Sequence, residues 1–596
     1  MSGFLLCWHR AGGQLDDAVL ARVVARLALR GPEGSRVQRT ADAVAVHTAF
    51  TDAVGAEDDL PILRDALLLA ADLRLDDRDR LRARLRDAGI AEAMHATDAS
   101  LCHAALQVWG RDAAAHCLGD FAFAALRTAS RELIAARGTF GVKPLFVAET
   151  REFVALANDL DALLLLPGVD ATPDERALTD FLRSGSIIDP WRTARVGVHR
   201  VPPAHQWVWR ADGSREETRH WDFPVPASRT GMRDDVVLAE FREVLGTAVR
   251  DRLRTPRATI QLSGGLDSPA IAAAARSHAG AVKLSALTVS HERLVPTDEA
   301  QWARRVADHL GIPQEIAYAD GAGLLAHCDD PLVHTPEPVS DPDLAMWRTR
   351  AASLAAQAPV TIDGEDGDSL LAPPDLLTLL RTRPWADTWR SWRAFRGGST
   401  RRPWIGAREF SGRAAASRTR DWRAPTWLRP DVLAQHGTMV PPQSARHPLR
   451  PLSAWSFEQP VWETLFAIDD TSVTGVPLTV VLPLLDARLF TFVYAIAPIP
   501  WCQEKQLIRR AMQGQLPADV LARPKTPVHG AIEAGVAAWR AADGARRALA
   551  HPMEHLIDVA EWKRVLLESG DANAVMAAWR VYEVARWLAQ PVSRHG

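Results

Sequence analysis

A short glycine-rich turn offers the clearest chemistry in the sequence. The run SGGLDS, residues 263–268, lies between the strand-like segment ATIQL and the helix-like segment PAIAAAARSH. Small residues at such a turn let backbone N–H groups and the positive end of the following helix approach a phosphate closely. The run lacks the Gly-Lys-Ser/Thr ending of a Walker A loop, which disfavours an NTPase that transfers a γ-phosphate. An aspartate inside the turn instead predicts a carboxylate ligand for Mg²⁺ beside a bound pyrophosphate.

A second turn is strongly acidic. The run DGEDGD, residues 363–368, follows the strand-like segment PVTID and holds four carboxylates in six residues. Such a run can be a solvated acidic loop. Because both turns follow predicted strands of one sheet, we expect them to meet in the crevice where such sheets bind ligands. We therefore predict that Asp267 and Asp368 bind Mg²⁺ and that Glu365 acts as a base for an incoming amine.

Lysine is scarce in this chain. The 70 Lys and Arg residues include lysine only at positions 143, 283, 505, 525 and 563. A coding bias toward arginine explains the composition, but the places where lysine is kept are a separate question. Lysine carries a compact charge on a flexible stem, which suits contact with a moving phosphate.

The elements that must position these residues divide the chain in two. Residues 1–210 mix short strand-like runs with helical ones, which predicts an α+β domain rich in antiparallel strands. Residues 211–233 are polar and contain Pro and Gly, and we interpret them as a linker. In residues 234–596, strands alternate with helices of 10–15 residues, which predicts an α/β domain with a parallel sheet. A Trp- and Arg-rich insert at about 373–450 is either a packed helical insertion or a rim that grips an extended substrate.

Composition limits the function classes. The chain has 596 residues and a net charge of -3, which excludes a generally basic nucleic-acid binder. No stretch approaches the ~20 apolar residues of a membrane span, and the start MSGFLLCWHR lacks the basic region of a signal peptide. The five scattered cysteines favour reduced thiols in a cytoplasmic protein.

These motifs together resemble the asparagine synthetase family of the glutamine-hydrolysing type. SGGLDS, GEDGD, VLPLLDARLF and QLIRRAMQGQLPADVLARPKTP are similar to its synthetase domain, and ALRGPEG, GDFAFAAL and GTFGVKPLF are similar to its amidohydrolase domain. The resemblance implies an N-terminal-nucleophile (Ntn) hydrolase fold in the first domain and a PP-loop ATP-pyrophosphatase fold in the second. It also implies that ATP and Mg²⁺ adenylate a carboxylate, that pyrophosphate leaves, and that an amine receives the acyl group.

The resemblance assigns roles to individual residues. It makes Lys525 the cation that neutralises the phosphates of the adenylate and the tetrahedral intermediate, and it makes Glu365 the acidic group near the reacting acyl carbon. It makes Asp267 and Asp368 the metal ligands, and it leaves Lys143 a structural role. Leu262 and Val289 should lie near the adenine. The residues expected to bind ATP and pyrophosphate are Leu262, Ser263, Gly264, Gly265, Asp267, Ser268, Val289, Gly364 and Lys505.

The first domain departs from the family at its reactive centre. Ser2 stands where glutamine-dependent members have cysteine, and a terminal serine can serve as a nucleophile in principle. Asp72 and Leu73 replace the Asn-Gly pair that builds the family's oxyanion hole, and an ionised carboxylate cannot donate a hydrogen bond there. Arg30 of the family's RGPEG-like segment is kept. We therefore expect a first domain retained as a scaffold, without glutaminase activity.

A lost glutaminase suggests another source of the amine. Among the branches that lost this activity, the chain resembles the lasso peptide cyclases in length, in its degenerate first domain and in the run LLAPPDLLTLLRTRP; β-lactam synthetases carry Tyr where Glu365 stands. This resemblance implies that an Asp or Glu side chain of a ribosomal precursor peptide is adenylated and then joined to the peptide's N-terminal amine, which forms a macrolactam. It also implies a leader-peptide protease and a leader-recognition protein as partners. Two alternatives are an ammonia-dependent asparagine synthetase or another small-molecule amide ligase, and a non-enzymatic scaffold within a peptide-maturation complex.

Overall fold

Three β-sheets organise the part of the chain that the structure describes. The structure is a computed structural model, and it describes residues 2–52, 59–90, 96–227, 229, 231–290, 298–318, 325–329, 333–373, 380, 385–386, 388–389, 393, 424–437, 447–524, 531–541 and 553–590. Two sheets are six-stranded and antiparallel, and the third is five-stranded and parallel. Among the described helices, none has the length and apolar character that a membrane crossing requires.

The two antiparallel sheets belong to the first part of the chain, and the parallel sheet belongs to the second part. The strands in chain order are β1 (Gly3–His9), β2 (Ser35–Arg39), β3 (Ala43–Thr48), β4 (Ile62–Arg64), β5 (Leu67–Asp76), β6 (Leu118–Arg127), β7 (Glu132–Arg137), β8 (Phe146–Glu149), β9 (Phe153–Ala157), β10 (His199–Arg200), β11 (His205–Trp209), β12 (Arg215–Arg219), β13 (Arg257–Gln261), β14 (Lys283–Ser290), β15 (Gln314–Tyr318), β16 (Val360–Ile362) and β17 (Thr479–Val481). The spatial orders are β10-β8-β9-β1-β3-β2, β12-β11-β7-β6-β5-β4 and β15-β14-β13-β16-β17.

Helices cover the sheets. They are α1 (Asp17–Leu27), α2 (Arg78–Asp87), α3 (Asp98–Trp109), α4 (Ala113–His116), α5 (Leu160–Leu164), α6 (Glu175–Ser184), α7 (Asp234–Arg252), α8 (Asp267–His278), α9 (Glu299–Leu310), α10 (Leu344–Gln357), α11 (Gly367–Leu370), α12 (Pro430–His436), α13 (Pro451–Phe457), α14 (Val461–Ile468), α15 (Thr471–Thr474), α16 (Ala487–Ala495), α17 (Pro498–Trp501), α18 (Gln506–Ala511), α19 (Ala518–Ala522), α20 (Ala531–Ala541), α21 (Val559–Glu568) and α22 (Ala572–Ala589). Short 3₁₀ turns span Gly110–Asp112, Ala326–Asp329 and Gln503–Lys505.

Alternate residues of β1 show how the first part is layered. Phe4 and Leu6 pack in the core between the two antiparallel sheets, while Leu5 and Cys7 pack against α1 and α5 on the outer face. The second sheet is covered in the same way by α2 and α3. Successive strand residues point to opposite faces, so a strand buried on both faces becomes continuously apolar, as GFLLCWH is. The result is a four-layer sandwich of helices, two sheets and helices.

The parallel sheet carries the motifs of the second part. Strand β13 lies between β14 and β16, and all three run in the same direction. The alanine-rich helix α8 packs closely on this sheet, with Ala272 and Ala275 fully buried. The carboxyl ends of β13, β14 and β16 therefore lie at one edge of the sheet, which is where the two predicted turns begin.

Buried ion pairs join the two parts. Arg252 of α7 lies 3.1 Å from Asp76 of β5 and 2.9 Å from Asp486. Arg137 of β7 donates two hydrogen bonds to Glu463 of α14 at 2.8 and 2.9 Å. The planar guanidinium matches a carboxylate with two parallel bonds, and it keeps its charge when buried. Arg252 and Arg137 therefore help to hold the two parts together.

The expected fold class, an Ntn-type α+β part followed by an α/β synthetase part with a parallel sheet, is confirmed. The first portion of the expected linker, residues 211–233, contains strand β12, which pairs with β11. Its sequence REETR has no apolar residue, because β12 is an edge strand whose side chains stay largely in solvent. The other domain boundaries stay predictions.

The Trp- and Arg-rich insert lies mostly outside the described residues, including Trp392, Trp404 and Trp422. Trp427 is described and is 1% exposed, packed with Trp562 and Trp579 of the C-terminal helices. Trp427 therefore belongs to the core of those helices. The proposed binding rim stays a prediction.

The buried pairs at the interface make stability depend on Asp486. Burial alone would raise the pKa of this carboxyl, but the guanidinium groups of Arg488 and Arg252 hold it at about 2. We expect Asp486→Asn to lower the free energy of unfolding by roughly 3 kcal/mol at neutral pH. Because the pKa is lower in the folded chain, the stabilisation is full above about pH 4 and is lost as the pH falls toward 2.

Thermal denaturation of the parent chain and of Asp486→Asn, followed from neutral pH down to about pH 2, measures the contribution of Asp486 to stability. The control is Asp431→Asn, because Asp431 forms an exposed pair with Arg429 and its loss should leave the melting temperature unchanged. Equal melting temperatures for Asp486→Asn and the parent chain at neutral pH would contradict the role given to the buried pair.

Candidate active site

The glycine-rich turn is held together by its two serines. It connects β13 to α8, as the sequence predicts. The backbone N–H of Ser263 donates to Oγ of Ser268 at 2.8 Å, and the two hydroxyl oxygens are also 2.8 Å apart. Gly265 donates its N–H to Oγ of Ser263 at 3.3 Å. The turn is therefore closed on itself at the start of α8, with the geometry expected of an anion-binding turn.

The acidic turn packs directly against the glycine-rich turn. A Cβ atom on Gly364 would lie 2.6 Å from the backbone nitrogen of Ser268, and one on Gly367 would lie 2.3 Å from Oδ1 of Asp267. Neither position can carry a side chain without moving the other turn. Asp363 donates its N–H to the carbonyl of Val481 at 3.0 Å, which fixes the turn to β17. The structure therefore brings the two predicted turns together at the carboxyl edge of the sheet.

Asp267 and Asp368 converge on one cation. Nζ of Lys505 donates to Oδ2 of Asp267 and lies 2.8 Å from Oδ1 of Asp368. Two carboxylates from separate turns, facing a single positive charge, have the oxygen donors that Mg²⁺ prefers. The chemistry of these two oxygen donors fits Mg²⁺, although among the described residues no third His, Cys, Asp or Glu completes a metal-binding group with them. The metal-ligand roles of Asp267 and Asp368 stay a prediction. The sequence predicts that Lys505 contacts the phosphates. In the structure, Lys505 pairs with Asp267 and Asp368. Burial lowers the pKa of Lys505, but Asp267 and Asp368 outweigh it and raise the value above its usual range.

Glu365 belongs to a group of carboxylates with raised pKa values. Desolvation raises the pKa of Glu365, and Asp366 and Asp469 raise it further. Burial and the charge of Glu365 raise the pKa of Asp363 to about 7. Arg350 donates to Asp469 at 2.5 Å and limits this repulsion. A carboxylate whose pKa is moved toward neutrality is suited to accept and release a proton near pH 7.

The two residues expected near the adenine lie on adjacent strands. Leu262 is buried, and its N–H donates to the carbonyl of Leu287 at 2.9 Å. Thr288 donates its hydroxyl to the carbonyl of Leu262 at 2.7 Å. Val289 is half-buried near the carboxyl end of β14. Leu262, directly after β13, and Val289 of β14 therefore lie near the carboxyl ends of adjacent strands, and their contact with adenine stays a prediction.

Lys525 lies outside the described residues, but Arg523, two positions earlier, is described. Arg523 donates through one nitrogen to the carbonyl of Gly264 and through another to Asp298 at 2.7 Å. Its guanidinium lies over the ring of Trp302 at 5.1 Å from the centroid. Arg523 therefore holds the glycine-rich turn in shape. Our sequence reasoning missed it, although its place in the RPK run was a usable signal.

Asp72, one of the two residues that replace the expected Asn-Gly pair of the first part, forms a buried ion pair. Nζ of Lys143 lies 2.7 Å from Oδ1 of Asp72, and both side chains are almost fully buried. Asn158 donates to the carbonyl of Ser2 at 2.8 Å and to Oδ2 of Asp72 at 3.3 Å. Asp72 therefore acts as the partner of Lys143, which gives the expected structural role of Lys143 a physical basis.

Arg30 pairs with a carboxylate from the second part of the chain. It donates two hydrogen bonds to Asp470, at 2.6 and 2.7 Å, and it is fully buried. Asp470 caps α15 by accepting from the N–H of Ser472 at 2.9 Å. The RGPEG arginine is therefore part of the interface with the second part of the chain.

The chain is similar to known proteins. The family model described as asparagine synthase matches residues 240–589, and the glutamine amidotransferase domain model matches residues 1–221. Asparagine synthetase [glutamine-hydrolyzing] 3 of Bacillus subtilis (strain 168) is 25% identical, over 88% of this chain and 86% of that protein. A putative asparagine synthetase [glutamine-hydrolyzing] of Mycobacterium tuberculosis is 28% identical, over 81% and 78%. A solved structure of B. subtilis glutamine phosphoribosylpyrophosphate amidotransferase is 14% identical, covers 71% of this chain and 89% of that chain, and has a TM-score of 0.28.

The contact between Arg523 and Gly264 predicts a binding effect. We expect Arg523→Met to raise the KM for ATP about tenfold in ATP–pyrophosphate exchange, because the turn loses a charged hydrogen bond worth roughly 1.5 kcal/mol or more. The value of kcat should change much less. The control is Arg305→Met, since Arg305 also stacks on Trp302, at 5.2 Å, but pairs with Asp519. An unchanged KM in Arg523→Met would contradict the role of Arg523.

The Lys143–Asp72 pair predicts a stability effect. Lys143→Met leaves a buried carboxylate without its cation, and we expect the free energy of unfolding to fall by about 3–5 kcal/mol. The double variant Lys143→Met/Asp72→Leu should recover most of this loss, because it removes both charges. Chemical denaturation measures both. If Lys143→Met were as stable as the parent chain, the Lys143–Asp72 pair would not contribute this free energy of unfolding.

Proposed function

The chain belongs to the asparagine synthase family and is a carbon–nitrogen ligase, and from that premise we propose that it is an ATP-dependent lasso peptide cyclase. Enzymes of this family use ATP. In the proposed reaction, an Asp or Glu side chain of a ribosomal precursor peptide is adenylated and joined to the peptide's N-terminal amine. The products are a macrolactam, AMP and pyrophosphate.

One contrast carries the proposal. The second part of the chain brings Asp267 and Asp368 together beside the glycine-rich turn. In the first part, Asp72 pairs with Lys143, and Arg30 pairs with Asp470. A synthetase site combined with these changes in the first part favours an amine that does not come from glutamine. The amine of a bound peptide meets that need.

The first step is transfer of AMP to the peptide carboxylate. A carboxylate oxygen attacks the α-phosphorus of ATP, and the bond to the pyrophosphate oxygen breaks. The backbone N–H groups of the turn at 263–268 and the N-terminus of α8 bind the departing pyrophosphate. Asp267 and Asp368 would hold Mg²⁺, which supplies positive charge beside the phosphates when bound. Lys525 would add a further positive charge.

The second step is acyl transfer. The peptide's amine nitrogen attacks the carbonyl carbon, the bond to AMP breaks, and Glu365 takes the proton that the amine loses. The raised pKa of Glu365 suits this exchange. A peptide folded before the reaction holds its amine at high effective concentration beside the acyl carbon. In this proposal a leader-peptide protease and a leader-recognition protein deliver the peptide.

A second candidate is an ammonia-dependent asparagine synthetase or another small-molecule amide ligase. The names of the curated relatives favour it, since they are asparagine synthetases. This candidate needs no peptide. It predicts pyrophosphate release that depends on aspartate or another small acid together with ammonia.

Purified protein incubated with ATP, Mg²⁺ and a leaderless precursor peptide tests the proposal. We expect a peptide product that is lighter than the precursor by the mass of one water. One AMP should be released for each molecule of this product. Glu365→Gln should lose the cyclic product because it cannot accept the proton, yet keep ATP–pyrophosphate exchange. Formation of ADP, or no loss of mass, would contradict the proposal. Pyrophosphate release with aspartate and ammonia but not with peptide would favour the second candidate.

A further inference from the structure

We propose that Lys505 is a resident counter-ion of the metal site, which holds Asp267 and Asp368 together before a divalent cation binds and then turns to the pyrophosphate. The proposal rests on the use of ATP and Mg²⁺ in the proposed function. Lys505 then has two successive partners, first the two carboxylates and afterwards the pyrophosphate.

Lys505 contacts the two carboxylates that would hold the metal ion. Its ammonium group bonds to Asp267 and lies 2.8 Å from Oδ1 of Asp368, which are the oxygens that the site offers to Mg²⁺. An ammonium group and a divalent cation repel each other and need the same carboxylates. Lys505 must therefore leave at least one of these oxygens when the metal ion binds.

The acids need such a counter-ion because the turn beside them is crowded with negative charge. The charge of Asp366 interacts with those of Asp267 and Asp368, and the charge of Glu365 interacts with that of Asp267. Gly367 allows the acidic turn to come so close that a Cβ atom there would lie 2.3 Å from Oδ1 of Asp267. Without a cation between them, the two turns would repel each other at this distance.

The backbone beneath Lys505 is able to switch. Glu504 has φ 48° and ψ 30°, and Lys505 has φ 55° and ψ 37°, so two consecutive non-glycine residues are left-handed. This conformation is costly and persists only where neighbouring contacts enforce it. The bonds from Lys505 to the two acids are such contacts. Their loss lets the turn relax and carries the ammonium group away from the acids.

Metal and nucleotide binding are then coupled. Without nucleotide, the metal ion competes with Lys505 and binds weakly. With pyrophosphate oxygens present, Lys505 has a second partner, so release from the acids costs less. By linkage, a nucleotide that strengthens metal binding is itself strengthened by the metal to the same degree.

Binding of Mn²⁺ in the absence of nucleotide tests the exchange. Free Mn²⁺ is measured by electron paramagnetic resonance with the full chain, Lys505→Met and Lys505→Gln. We expect both variants to bind Mn²⁺ about tenfold more tightly than the parent, because the competitor is gone. The control Lys283→Met should match the parent, since Lys283 is exposed at the opposite end of β14. Circular dichroism confirms that each variant is folded.

Mn²⁺ affinity that is unchanged or weaker in both folded variants would overturn the proposal. The measurement uses no peptide and no turnover. A failure of the cyclase proposal therefore shows itself in the peptide assay and leaves this result intact, whereas a failure of the exchange shows itself in metal affinity alone.

Discussion

Two glycines decide how closely the glycine-rich turn and the acidic turn approach each other. Gly364 and Gly367 leave no room for a Cβ atom against Ser268 and Asp267. This contact places the carboxylates of Asp267 and Asp368 around one cation. The two carboxylates repel each other, and Lys505 supplies a positive charge that offsets this repulsion. Three features depend on this close approach. They are Lys505, the turn that carries Lys505, and Arg523, which contacts the glycine-rich turn.

The second constraint is the interface between the two parts of the chain. Its buried arginines pair with carboxylates from the opposite part, as Arg30 does with Asp470 and Arg137 with Glu463. Asp469, next to Asp470 in the sequence, accepts a hydrogen bond from Arg350. The charge of Asp469 also raises the pKa of Glu365. These ion pairs tie the first part of the chain to the elements next to the synthetase edge. The role of the first part as a scaffold stays a prediction.

Local patterns in the sequence predict most elements, because strand alternation and helical periodicity are short-range properties. They place the SGGLDS turn between β13 and α8 and the acidic turn after β16. They do not reveal contacts between distant residues. Arg30 and Asp470 are 440 positions apart, and Arg523 and Gly264 are 259 positions apart. Strand β17 is only three residues long, too short for a clear pattern. Roles for Lys525 and Glu365 stay predictions.

Transfer of oxygen between substrate and nucleotide tests the central claim that this edge of the sheet adenylates a carboxylate. The precursor peptide is prepared with ¹⁸O in the side-chain carboxylate of its acceptor residue and is incubated with ATP and Mg²⁺. Attack of that carboxylate on the α-phosphorus, followed by capture by the amine, leaves one labelled oxygen in AMP, which mass spectrometry detects. Label found in inorganic phosphate, or AMP formed without label alongside the cyclic product, would contradict the account.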